Sequence, residues 1–113
     1  MTSVREVLGW IEGAYPPGLA EDWDRVGLDV GDPDAAVTSV AFGVDPTEAV
    51  IAEARERGAD LLVTHHPLLL RGVHAIRADE PKGRAVLALV RAGIAHVAAH
   101  TNADHAERGV SDA

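Results

Sequence analysis

There is no cysteine in the 113 residues of this chain. That absence excludes disulfides, thiolate zinc fingers, iron–sulfur clusters and cysteine nucleophiles. Aromatic residues are nearly as scarce: Trp10, Tyr15, Trp23 and Phe42 are the whole set. Any core must therefore be built from Ala, Val, Leu and Ile. Lysine occurs once, as Lys82, which leaves Schiff-base chemistry a single candidate and no supporting context. Basic charge is also short, with 10 Lys+Arg against 18 Asp+Glu and a formal net charge of -8. A nucleic-acid binder needs a basic face, and an anionic membrane repels an acidic chain, so neither is an expected partner. No apolar run approaches the length of a membrane span, and the opening Met1-Thr2-Ser3-Val4-Arg5-Glu6 is no signal-peptide core. The expected location is the cytoplasm.

What is present suits one domain. Hydrophobic residues make up 47% of the chain, and a chain this long buries roughly two-thirds of the surface it exposes when unfolded. Ser3-Val4-Arg5-Glu6 has the form of a capping box. Val4, Val7, Leu8 and Ile11 follow at helical spacing, and this first helix is expected to end before Gly13. Strands are predicted at Val26–Val30 and Val37–Val44, separated by a turn at Gly31-Asp32-Pro33-Asp34. Asp45-Pro46-Thr47-Glu48 reads as a helix start with Asp45 as the cap. The second helix then covers Pro46–Arg57, with Ala49, Val50 and Ala54 facing inward. Leu61-Leu62-Val63-Thr64 is a continuous apolar run, as expected of a strand buried on both faces. Leu68 to Glu80 has no clear pattern. A third helix is predicted at Gly83–Ala92, with Val86, Leu87 and Val90 on one side, and a last strand at Ile94–Ala99.

Strands alternating with helices predict an α/β domain over residues 1–113, a mostly parallel sheet flanked by helices on both faces. Gly109-Val110-Ser111-Asp112 reads as a turn and cap opening a further helix. The chain is therefore expected to be the N-terminal portion of a larger α/β protein.

The polar residues gather at the predicted strand ends. Asp45, His65, His66, His100, Asn102 and Asp104 all fall just past C-terminal ends of strands, where open α/β sheets bind ligands. Clustered imidazoles and carboxylates at one edge of an acidic protein point to a divalent metal. Neighbouring residues of an extended strand face opposite ways, so His65 and His66 need either a bend before Pro67 or two separate ions. Asp104 could bridge two ions about 3.5–4 Å apart. The spacing leaves a structural reading open beside this one, since a strand-end histidine also hydrogen-bonds loop carbonyls. His74 and His96 read as structural, His105 and Glu107 as solvated loop, and Trp10 and Trp23 as core or interface. There is no G-x-S-x-G, Walker A loop or G-x-G-x-x-G, and no carboxylate pair marked as a glycosidase acid and base.

Three segments carry a family resemblance. They are Trp23-Asp24-Arg25-Val26-Gly27-Leu28-Asp29-Val30-Gly31, then Asp45-Pro46-Thr47 with Gly58-Ala59-Asp60-Leu61-Leu62-Val63-Thr64-His65-His66-Pro67, and His100-Thr101-Asn102-Ala103-Asp104 with Gly109-Val110-Ser111-Asp112. The chain resembles the Nif-three-like family, also called YbgI-like or dinuclear metal-centre hexameric proteins, some members of which bear the name GTP cyclohydrolase type I, type two. The resemblance implies an α/β fold, a ring-shaped homohexamer, and His65, His66 and Asp104 as metal ligands. It further implies two ions per subunit with the aspartate shared. Imidazole and carboxylate together suit zinc, iron or manganese. Arg25 stands where the family commonly has asparagine and Ala103 where it has leucine. The family's further His and Glu ligands, from a C-terminal segment, have no counterpart here.

Two functions follow as expectations. One is a metal-dependent hydrolase acting on a nucleotide such as GTP through metal-activated water, with His100 orienting a ligand or donating a proton. The other is a non-enzymatic metal-binding, metal-delivery or regulatory protein. Three protein ligands fall short of a closed tetrahedral site, so weak metal binding is expected of this chain alone.

Overall fold

The computed structural model describes residues 2–14, 27–69, 73 and 75–99. Helix α1 (Val4–Ala14) opens on Ser3, whose Oγ accepts the Glu6 N–H at 3.2 Å. The capping box thus starts the helix as its sequence implies. The helix runs through Gly13 instead of stopping before it. An interior glycine costs about 1 kcal/mol, which weakens a helix without ending it.

Strands β1 (Gly27–Val30) and β2 (Val40–Gly43) follow, then helix α2 (Glu48–Glu56), strand β3 (Leu61–Thr64), helix α3 (Pro81–Ala92) and strand β4 (Ala95–Ala98). Thr47, not Asp45, caps α2: its side chain accepts the Val50 N–H at 3.2 Å. Ile51 and Ala54 are the buried residues of α2, while Ala49 is exposed. Helix α3 begins at Pro81, two residues before the predicted start, and ends at Gly93 with φ 69. Its buried residues are Gly83, Ala85, Val86 and Leu89, whereas Val90 lies 61% exposed. Trp10 is exposed on α1 and contributes nothing to the core.

The sheet order is β1-β4-β3-β2. Strands β2, β3 and β4 run parallel, and β1 pairs antiparallel with β4. Helices cover both faces, as predicted. Val4 and Val7 of α1 pack on Leu61, Val63, Ala95 and Val97. On the other face, Ile51 and Ala54 of α2 join Val86 and Leu89 of α3 over Leu62. Every residue of β3 is buried, which is why that strand reads as an unbroken apolar run.

Strand β1 carries a bulge. Leu28 pairs with Val97 and Val30 with His96, so Asp29 is the extra residue. Leu28 packs in the α1 core and Val30 in the α2–α3 core. A regular strand would place both on one face. The bulge resolves that conflict and turns Asp29 towards β4.

Asp60, just before β3, ties the start of β2 in place. Its Oδ2 accepts the Thr38 N–H at 2.9 Å, the Thr38 hydroxyl at 2.9 Å and the Ser39 N–H at 3.3 Å. The Thr38 backbone N–H first, and then its hydroxyl, hold this carboxyl below its ordinary value of 3.8. Stabilisation from a depressed carboxyl is present above the unfolded value and is lost as pH falls through the folded one. Asp60→Asn should therefore be less stable than the natural chain near neutral pH. Urea unfolding should show that difference shrinking as pH falls below 3.8. A difference that persists undiminished in acid would show that the carboxylate charge is not what these donors hold.

Candidate metal centre

Strand β3 ends at Thr64, and the next two residues are His65 and His66. The chain leaves strand geometry here. The His65 N–H donates to the Gly43 carbonyl at 3.2 Å and the His66 N–H to the Val44 carbonyl at 2.9 Å. Consecutive N–H groups thus point to the same neighbouring segment, where an extended strand would alternate them. This is one of the two arrangements the sequence leaves open, a bend before Pro67. The two ring centroids lie 5.2 Å apart with planes at 46°.

Both rings are anchored through Nδ1. The His65 Nδ1 lies 3.0 Å from the Ala99 carbonyl oxygen. A carbonyl only accepts, so that nitrogen carries the ring proton. The His66 Nδ1 bonds Asp45 Oδ1. An imidazole protonated on Nδ1 has its basic lone pair on Nε2. Donation of the other ring N–H to a carbonyl or carboxylate is the usual support of a metal-ligating histidine. Asp45 is thus the residue that local reading misassigns. With Thr47 capping α2, its carboxylate serves a histidine 21 positions away. The available signal was its place at a strand end beside the one that carries the histidines.

A cleft of about 340 Å³ opens beside His66, lined by Asp45, Thr47, Pro67 and Lys82 among others. It lies at the N-terminal ends of α2 and α3, and Lys82 Nζ donates to the Leu68 carbonyl at 2.7 Å.

His96 is not part of this rim. It is fully buried in β4, with Nε2 at 2.7 Å from Thr64 Oγ1 and Nδ1 at 2.5 Å from Asp29 Oδ1. That matches the structural role its alternation with apolar residues implies. Asp104, the third predicted ligand, lies outside the described residues, as do His74, His100, Asn102, His105, Glu107, Trp23 and Arg25. Among the described residues no group of three or more His, Asp or Glu side chains converges as a metal cage. The described donors are the two imidazoles.

A family model for Duf34/NIF3 (NGG1p interacting factor 3) matches residues 2–113. The chain belongs to the DUF34/NIF3 family. This NIF3-family chain is 50% identical over 113 residues to the GTP cyclohydrolase 1 type 2 homolog of Streptomyces coelicolor, covering 100% of itself and 40% of that relative. It is 52% identical over 108 residues to the homolog of Mycobacterium bovis, covering 96% of itself and 28% of the relative. It therefore spans less than half the length of these relatives. The fold superposes on the Bacillus cereus protein related to NIF3 with a TM-score of 0.93 at 36% identity, covering 98% of this chain and 30% of that one. Reduced HcgD from Methanocaldococcus jannaschii gives a TM-score of 0.90 at 32% identity, covering 98% and 44%. Two imidazoles with their Nδ1 atoms anchored fit the donor chemistry of a divalent ion. By themselves they do not complete such a site.

Proposed function

We propose that this NIF3-family chain supplies the imidazole part of a divalent-metal centre in a hydrolase that acts on a nucleotide. The observation that carries this reading is the pair His65 and His66 on one rim, each held through Nδ1, by the Ala99 carbonyl and by Asp45. His65 and His66 would hold the metal, and Asp104 would be the carboxylate shared between two ions. Zinc, iron and manganese all suit such ligands. A bound divalent ion supplies Lewis acidity and brings a coordinated water's pKa towards neutrality. The rest falls to the chain. Asp45 fixes the His66 tautomer, and Lys82 offers an anionic substrate a cation at the cleft. The name these relatives bear, GTP cyclohydrolase 1 type 2 homolog, puts a guanine nucleotide first among substrates to try. A homohexamer in the cytoplasm completes the proposal.

A second reading has its own support. The family description, NGG1p interacting factor 3, names an interaction and not a reaction. On that reading the same ligands serve metal binding, delivery or regulation without turnover. One experiment separates the two. The protein extended past Ala113 to the length of its relatives is equilibrated with zinc or manganese, its metal content is measured, and GTP consumption is followed by chromatography. Metal uptake with GTP consumption, both lost in His65→Ala, is the expected result. Uptake without consumption favours the regulatory reading, and no uptake overturns both.

A further inference from the structure

We infer that the buried Asp29–His96–Thr64 chain is a positioning relay that sets the backbone of the His65–His66 turn. The inference rests on the metal reading of that turn. His96 and Thr64 are 0% and 1% exposed, and the Asp29 side chain is 14% exposed. Strands β1, β3 and β4 each supply one member, and the β1 bulge brings Asp29 into it.

The hydrogens of the relay can be assigned by elimination. The Thr64 hydroxyl donates to the His66 carbonyl at 2.6 Å. A hydroxyl has one proton, so Thr64 Oγ1 can only accept from His96. The His96 Nε2, 2.7 Å away, must therefore be an N–H. On the ring's other side, Nδ1 meets Asp29 Oδ1 at 2.5 Å, and Asp29 Oδ2 accepts the Leu68 N–H at 3.3 Å. The relay thus grips the chain on both sides of Pro67, at the His66 carbonyl and at the Leu68 N–H. An apolar trio would fill the same sheet interior but would hold neither group. The polar chain makes the position of His66 depend on hydrogen bonds that cross three strands. Asp29, His96 and Thr64 act through that backbone; they are not ligands.

The test compares Thr64→Val, which keeps the shape and removes the hydroxyl, with Thr64→Ser, which restores it. Cobalt(II) is titrated into the full chain and followed by visible absorption, well below each variant's unfolding midpoint. Thr64→Val should bind cobalt about 10- to 100-fold more weakly, the range for loss of an outer-shell support. Thr64→Ser should bind close to the natural chain. A merely structural threonine would lower the midpoint and leave cobalt affinity alone, and that result overturns the relay. If the natural chain takes up no cobalt, the metal reading fails separately. The relay is then judged from the imidazole ¹⁵N shifts of His65 and His66 in metal-free protein. Shifts displaced in Thr64→Val and restored in Thr64→Ser support it, and unchanged shifts overturn it. Should Thr64→Val not fold, Asp29→Asn takes its place with the same expectations. The same spectra report His96, and a tautomer lacking the Nε2 proton overturns the assignment.

Discussion

Asp45→Ala is expected to weaken divalent-metal binding by about 10- to 100-fold and to leave the unfolding midpoint almost unchanged. The two halves of that expectation come from different observations. Asp45 bonds the Nδ1 of His66, so its loss frees the ring to rotate and to change tautomer. Its side chain is 57% exposed and that of His66 is 44% exposed, and polar side-chain pairs this exposed contribute only about 0–1 kcal/mol to stability. Thr47→Ala should show the converse. It removes the acceptor of the Val50 N–H, and loss of a helix N-cap costs about 0.5–2 kcal/mol. Metal titration by calorimetry and urea unfolding, run on both variants, give a crossed pair of results. His66→Ala should lose at least as much affinity as Asp45→Ala. If Asp45→Ala instead loses stability like a cap and binds metal like the natural chain, then the carboxylate serves the helix and the metal reading loses its support at His66.

The same two residues show what sequence could and could not disclose. Asp45 and Thr47 both have acceptable capping side chains, and Asp45 even has Glu48 three positions on. Local preference cannot choose between them, because the choice is made by His66 at the end of another strand. Where a signal is local and strong, the reading holds. Ser3 caps α1, and Leu61–Thr64 forms a strand buried on both faces. His96, set between apolar neighbours in β4, is buried and satisfied. The bend after β3 was one of two arrangements that adjacent histidines before a proline left open, the other being two separate ions. The inner face of α3 was legible only in part. Val86 is buried as its spacing implies, but Val90 is exposed, and Leu89, Ala85 and Gly83 complete the buried side. At Gly83 the reason is contact distance: a Cβ there would lie 1.9 Å from the Arg77 carbonyl oxygen. Small residues mark the buried side where backbones approach closely, and composition alone cannot show that. The β1 bulge was equally hidden. Leu28, Asp29 and Val30 alternate like a plain strand, and only pairing with β4 reveals the extra residue.

Leu61 and Leu62 are adjacent, and both are completely buried, yet their replacement by alanine should loosen different parts of the molecule. Each truncation removes a fully buried leucine and should cost about 2–5 kcal/mol. For a domain this small that lowers the unfolding midpoint by on the order of 10 °C or more. Val90→Ala, on an exposed site of α3, should change it little. The separation lies in where the cavity forms. Leu61 packs with Val4 and Val7 of α1, so Leu61→Ala should first lower amide-exchange protection in α1. Leu62 packs with Ile51, Val86 and Leu89, so Leu62→Ala should first lower it in α2 and α3. Such local openings are the sub-global units that exchange reports. The two faces are not equivalent for the metal centre. The N-terminal ends of α2 and α3 frame the cleft beside His66, so Leu62→Ala should also weaken metal binding at temperatures where the chain stays folded. Leu61→Ala should not. If both substitutions deprotect the same helices, the two cores are one cooperative unit, and the cleft owes its shape to the whole sheet and not to its α2–α3 face.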